Sequence, residues 1–233
     1  MIYFLTFWAG RREFFAAAER LRLEAVKTGL FKEVIVMSEA DLRADEYFWL
    51  RHGRFIEENP RGFGYWIWKP FIISKVLGRL AEGDMLIYAD AGCEFDMRFA
   101  GNIPRLHKIL EKKKILGVLG PSNDVTHSKA SVCSILGLVG PPTMRLGHIQ
   151  AGIIYMRKCE EIDRFMRKWY DKCALDPDMI DDSPSKVPNH PDFREHRHDQ
   201  SVFNILLKLE GLYNQAMPVS AMPILPSQRR SGI

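Results

Sequence analysis

The sequence has no run of about 18 uninterrupted apolar residues, the length a helix needs to cross a hydrocarbon core. Its first ten residues are apolar, but they carry no positive n-region and are too short to span a bilayer. Neither an obvious secretory signal nor a transmembrane anchor is therefore expected. Cysteine is scarce: the thiols at 93, 133, 159 and 173 include no pair at zinc-ligand or redox-motif spacing, which favours reduced thiols in a cytosolic protein. Several chemical signatures are missing. Without Gly-x-Gly-x-x-Gly a dinucleotide-binding Rossmann domain is disfavoured, and there is no Gly-x-x-x-x-Gly-Lys loop, no Gly-x-Ser-x-Gly elbow and no His-Glu-x-x-His. Repeats and low-complexity tracts are absent. The formal charge is only +4, and the longest basic run, Lys112 to Lys114, ends an expected helix, where cations complement the dipole. A nucleic-acid binder concentrates more charge on one stripe. The mild positive charge suits an anionic small molecule or an acidic membrane surface.

What is present is an ordinary globular composition, 46% hydrophobic and 27% charged over 233 residues, with strand and helix patterns in alternation. That makes a single α/β domain. Residues 2–7 read as a buried strand, 11–28 as a helix with Phe14, Phe15, Ala18, Leu21 and Ala25 inward and Gly29 closing it, and 34–37 as a second strand. This βαβ start predicts a right-handed crossover and a mostly parallel sheet. Residues 41–59 read as a polar, partly helical, solvated stretch that includes His52. A helix over 102–114 is capped by Asn102, with Pro104 in its first turn. Strands are expected at 115–119, 134–139 and 149–156, and an amphipathic helix at 159–173. The turn-rich loop 120–130 could reach a second substrate. Residues 175–192 hold Pro177, Pro184, Pro188 and Pro191 with Asp176, Asp178, Asp181 and Asp182, a long loop of the lid or binding kind. A last helix runs to Glu210 with Asp199 as its cap, and a proline-spaced flexible tail (217–233) contains Arg229 and Arg230.

The chain is organised around residues 62–95. Pro70 fits the first turn of a helix that carries Ile72, Ile73, Val76, Leu77 and Leu80 as an apolar stripe. After a turn at Glu82-Gly83-Asp84, the run Met85 to Ala89 reads as a strand buried on both faces, and Asp90 arrives where it ends, followed by the small residues Ala91 and Gly92. In open α/β sheets ligands bind outside the carboxyl ends of the strands, so Asp90 is a candidate site residue.

Four segments, Gly64-Tyr65-Trp66-Ile67-Trp68-Lys69-Pro70, Asp90-Ala91-Gly92-Cys93-Glu94, Gln150-Ala151-Gly152 and His198-Asp199-Gln200-Ser201, resemble blocks of bacterial GT-A-type glycosyltransferases of capsule, O-antigen and exopolysaccharide assembly. The likeness runs from about Phe4 to Leu209. It implies a GT-A-like, Rossmann-related, mostly parallel twisted sheet flanked by helices. The implied function is transfer of a hexose or similar sugar from a nucleotide-diphosphate sugar to a glycan or lipid-linked acceptor, at the cytoplasmic face of the inner membrane, with peripheral membrane contact and no nucleic acid. By resemblance Asp90 contacts ribose or a divalent cation (Mn2+ or Mg2+). The second acid of the family's Asp-x-Asp is here Gly92, so Glu94 stands as its replacement, and His196 and His198 as further metal candidates. Trp66, Trp68 and Tyr65 offer faces for a base or sugar, Lys69 a cation for phosphate, and Gln150, Ala151 and Gly152 a close approach for the donor sugar, with Gln200 beside them. Asp199 is a general base or a stabiliser of oxocarbenium charge. Each residue also has an ordinary reading: a cap, a core aromatic, a surface lysine, tight strand packing. A non-catalytic nucleotide-sugar or glycan-binding module, and an RNA-binding protein using the same aromatics, are the alternatives from other classes.

Overall fold

In the computed structural model, which describes residues 1–214 and 221–226, five strands form one sheet in the order β2-β1-β3-β6-β5. They are β1 (Ile2–Trp8), β2 (Glu33–Ser38), β3 (Met85–Ala89), β5 (Ile115–Asn123) and β6 (Gly147–Arg157). A two-stranded antiparallel pair, β4 (Glu94–Phe95) with β7 (Ile224–Leu225), follows the end of β3. Strand β1 pairs in parallel with β2 and β3, while β6 lies antiparallel between β3 and β5. Four of the five strands thus point one way, the mostly parallel sheet expected, with β6 reversed.

Side-chain alternation along β3 divides the core. Leu86 and Tyr88 face a cluster built with α2 (Glu46–Glu58), α3 (Trp68–Leu77), α6 (Glu160–Cys173) and α7 (Asp199–Leu209). Met85, Ile87 and Ala89 face a second cluster, built with α1 (Arg12–Thr28) and α4 (Ile103–Lys113). Helices on both faces explain why β3 is apolar along its whole length.

Several expectations change. The buried stripe of α1 begins only at Ala18; Phe14 and Phe15 stay exposed, Phe15 edge-on to Trp8. The stretch 41–59 is not a solvated face, since α2 buries Phe48, His52 and Ile56, and His52 Nε2 lies 2.7 Å from the Tyr170 hydroxyl. Residues 134–139 are not a strand: α5 (Ala130–Leu136) takes the first three of them and ends at Gly137, a short apolar run being compatible with either element. Nor is 120–130 a plain loop. β5 continues to Asn123, whose side chain caps the one-turn helix Asp124–His127 by accepting from the Thr126 N–H at 3.1 Å. Asp199 is the first residue of its helix, the cap position falling on His198. The long loop is present apart from a 3-10 turn at Pro177–Met179. Of the expected tail, residues 217–220 and 227–233, including Arg229 and Arg230, lie outside the described residues, while 224–225 form β7. No disulfide joins the four cysteines, and all four are buried. No helix among the described residues is long and apolar enough to cross a membrane.

Candidate active site

The approach to the site is a turn of left-handed helix. Gly62, Phe63, Gly64, Tyr65 and Trp66 all have positive φ, between 50° and 78°. For the three non-glycine residues this costs about 1–2 kcal/mol each, and surrounding structure must hold it. Backbone bonds do part of that: Tyr65 N–H donates to Arg61 O at 2.8 Å and Gly64 N–H to Asn59 O at 2.8 Å. The two glycines are needed, since a Cβ at Gly62 would sit 2.5 Å from the Trp66 ring and one at Gly64 2.6 Å from Ile56. Trp68 then enters α3 in the core, stacked on Phe7 with ring centroids 3.9 Å apart, its indole N–H donating to Gly62 O at 3.0 Å. Trp66 is half-buried and Tyr65 buried. The ordinary reading therefore holds for Trp68, and of the three rings Trp66 is the most open.

This entry directs Lys69 inward. Its side chain is buried, and its ammonium lies 3.2 Å from Asp90 Oδ1, 3.5 Å from Asp199 Oδ2 and 3.3 Å from the Ala151 carbonyl. It is not a surface lysine. Asp90 follows the last residue of β3, and its N–H still donates to Gly152 O at 2.9 Å, one step beyond the ladder. The Tyr88 hydroxyl, on the same face two residues earlier, donates to Asp90 Oδ1 at 2.6 Å. A Cβ on Gly152 would come within 2.9 Å of Asp90 Oδ2, so glycine here sets how close the reversed strand passes the carboxylate. Ala91 is buried, and its carbonyl accepts from Arg20 at 3.3 Å; Gly92 is exposed.

β6 runs past the end of β3, which leaves backbone groups with no strand opposite them. Helix α7 fills the gap. Asn204 accepts from Ile149 N–H at 2.6 Å and donates to Ile149 O at 2.7 Å, and Gln200 accepts from Ala151 N–H at 3.1 Å. These amides bring the first turn of α7 to Ala151 and Lys69. The Trp169 indole N–H fixes that turn from the other side, donating to Asp199 O at 3.1 Å.

One ammonium between two carboxylates does not neutralise both. Asp90 keeps 35% of its side chain exposed and Asp199 only 4%. Burial pushes the Asp199 carboxyl up to about 7; Lys69 opposes that shift and Asp90 adds to it. Burial works against the Lys69 charge, but Asp199 and Asp90 together hold its pKa above the ordinary lysine value. The Tyr88 hydroxyl is pushed well up by burial and Asp90, so it remains a donor.

His198 sits at φ 53°, ψ −129°, a strained backbone for a non-glycine residue. Its Nδ1 bonds the Ile180 carbonyl at 2.7 Å, its ring lies beside those of Tyr65 and Trp66, and its Nε2 is 3.9 Å from Asp182. His196 bonds the Met179 carbonyl through Nε2 at 2.9 Å, and burial drives its pKa down to about 3. Both rings thus anchor the long loop. Glu94 is exposed on β4. Asp90, Glu94 and His198 are not gathered as a ligand set, and among the described residues no group of three or more His, Cys, Asp or Glu is placed to hold a metal ion. The structure does bring together Lys69, Asp90, Ala151, Gly152, Asp199 and Gln200. Gln150 pairs with Val118 of β5, and its side chain lies against Gly120.

Sequence reasoning missed Tyr88, Asn204, Trp169 and Asp182. Tyr88 was readable from its i, i+2 relation to Asp90 on a strand, and Asn204 from its i, i+4 relation to Gln200 on a helix. Trp169 and Asp182 carried no such signal.

No family model and no curated protein matches the sequence. Among solved structures, the chain is similar to the apo crystal structure of mouse xyloside xylosyltransferase 1, over 93% of this chain and 85% of that one, at 12% identity and a TM-score of 0.44. Nothing about the site rests on that likeness.

Proposed function

We propose that this protein is a glycosyltransferase that moves a sugar from a nucleotide-diphosphate donor to a hydroxyl of a glycan or lipid-linked glycan. The observation that carries the reading is the Lys69 ammonium between Asp90 and Asp199, outside the carboxyl end of β3. In the reaction the acceptor oxygen bonds the anomeric carbon as the bond from that carbon to the diphosphate breaks, with the electron pair leaving on the diphosphate. The hydroxyl proton passes to Asp199, a buried carboxylate poised near neutrality, where a general base is most effective. Asp90, the more open acid, meets the donor's ribose, and Gly152 sets where its carboxylate stands. The expected Mn2+ or Mg2+ finds no three-ligand site in Asp90, Glu94 and His198. A divalent cation held by Asp90 and the donor's own diphosphate would supply the charge compensation that Lys69, already facing two carboxylates, does not. A lipid-linked acceptor, as in capsule or lipopolysaccharide assembly, would bring the enzyme to the cytoplasmic face of the membrane by peripheral contact.

The test is thermal melting with UDP, GDP, CMP and dTDP, each with and without manganese. A nucleotide at about 100 times its dissociation constant adds roughly 2.7 kcal/mol, a rise of about 5–10 °C at this chain length. One nucleotide should give that shift, and its dependence on manganese reports whether Asp90 holds a metal. With its sugar donor, Asp199→Asn should keep the shift and lose turnover, and the wild-type rate should rise with pH through about 7. A shift without turnover of any nucleotide sugar would leave only a binding module. No shift with any nucleotide would sink the donor reading.

A further inference from the structure

We propose that the cleft in the proline-rich loop is a saccharide-binding site, the seat of the acceptor glycan; this rests on the glycosyl-transfer reading. Residues 175–198 have almost no regular structure, yet they are fixed along their length to the segment 126–131. The Lys129 ammonium, fully buried, donates to Asp178 O at 2.9 Å, Asp181 Oδ1 at 2.8 Å and Ser183 Oγ at 2.9 Å. Asn189 Oδ1 accepts from Ala130 N–H at 2.9 Å, Ser185 Oγ from Ser131 N–H at 3.1 Å, and Arg194 N–H donates to Thr126 O at 2.9 Å. Between these anchors the loop's own residues, with Lys129, line an open cleft of about 610 Å³. A loop tied this way presents a preformed site, and the volume falls within the range of ligand pockets.

The lining decides the ligand class. Phe193 offers a half-buried ring and Pro184 and Pro188 offer apolar surface, while Asp182, Lys186, Asn189 and Arg194 project polar groups into the same space. An acyl chain would meet charges of both signs. An anion would meet the Asp182 and Glu195 carboxylates as well as Arg194. A neutral sugar matches all of it: its C–H face packs on a ring, and its hydroxyls both donate to carboxylates and accept from amide and guanidinium N–H groups. Asp182 joins this cavity to the reacting groups. Its two oxygens accept from one Arg61 nitrogen, Nη1, at 2.7 and 2.8 Å, and it stands 3.9 Å from Nε2 of His198, the residue before Asp199. That Nε2 is buried and has no hydrogen-bond partner among the described residues.

The test is saturation-transfer NMR on the full chain with the methyl glycosides of glucose, galactose, mannose and xylose, and with methyl glucuronide as the charged control. At least one neutral glycoside should receive saturation. Phe193→Ala, which removes the ring, and Val187→Trp, which fills the cavity from a residue 44% exposed, should each weaken its binding about tenfold. Neither substitution should alter the melting shift given by the nucleotide. No binding by any neutral glycoside, binding by the glucuronide alone, or unchanged binding in both variants would overturn the proposal. A nucleotide shift with no glycoside binding fails this inference alone. Glycoside binding lost in the variants, with no nucleotide shift in any form, keeps the sugar site and fails the donor reading.

Discussion

Lys69 shows how one buried side chain can set a site. An isolated ammonium in the core would be costly, so the fold supplies two carboxylates and a carbonyl, and burial transfers the imbalance to Asp199. The arrangement depends on where the Asp90 carboxylate points, and the bare Cα of Gly152 controls that from the neighbouring strand. In Gly152→Ala the new methyl would meet Asp90 Oδ2 at 2.9 Å. The carboxylate is the free end of a short side chain, so it swings away from Lys69 and Tyr88 before the sheet deforms. The expected outcome is a melting temperature close to wild type with transfer lowered on the order of 100-fold, measured as turnover of the donor found by nucleotide melting. Unchanged turnover would mean that the orientation of Asp90 does not matter to the chemistry.

At the scale of elements, the joint between β6 and α7 does the positioning. Asn204 substitutes for a missing strand by satisfying both backbone groups of Ile149. Asn204→Ala leaves a buried N–H and C=O unpaired, at about 1–3 kcal/mol for each group, and melting should fall by about 5–15 °C. A fall of under 2 °C would show that water replaces the amide. How much of this was legible follows the same line. Strands β1, β3 and β6 were readable because a sheet covered on both faces demands continuous apolar runs, and Asp90 because it interrupts one. Helix α5 was not, since a short apolar run has no period of its own. The left-handed turn at 62–66 was unreadable for a stronger reason: Phe63, Tyr65 and Trp66 adopt a conformation their own propensity opposes, held by local backbone bonds and by ring contacts with Phe7 and His198, remote in sequence. The junction of Lys69 with Asp199, 130 positions later, depends on that turn. Sequence placed both residues in the candidate site but could not place them side by side.

Over the whole molecule, the histidines decide how the fold responds to acid. Of seven, His52, His127, His148, His196 and His198 all have lowered pKa values, with burial the largest cause in each. A histidine that resists its proton when folded takes it up more readily unfolded. Its contribution is therefore intact above the unfolded value near 6.5 and is lost as pH falls toward the folded value. For His196, held down to about 3, roughly 2 kcal/mol is gone by pH 5. Asp199 acts in the opposite direction. Its carboxyl, raised to about 7, holds a proton in the fold that the unfolded chain has already released, so its contribution grows as pH falls from 7 toward 4. The buried histidines outnumber it. His52, held down to about 4, loses a similar amount, and Asp199 gives back roughly 2 kcal/mol over the same interval, so the melting temperature should fall between pH 7 and pH 5 by about 4–8 °C. Asp199→Asn removes the offset, so that variant should lose stability more steeply than wild type on acidification. Calorimetric scans of both proteins from pH 8 to pH 5 check the point, and a wild-type melting temperature that rises toward pH 5 would show that the histidines are hydrated rather than held neutral in the core.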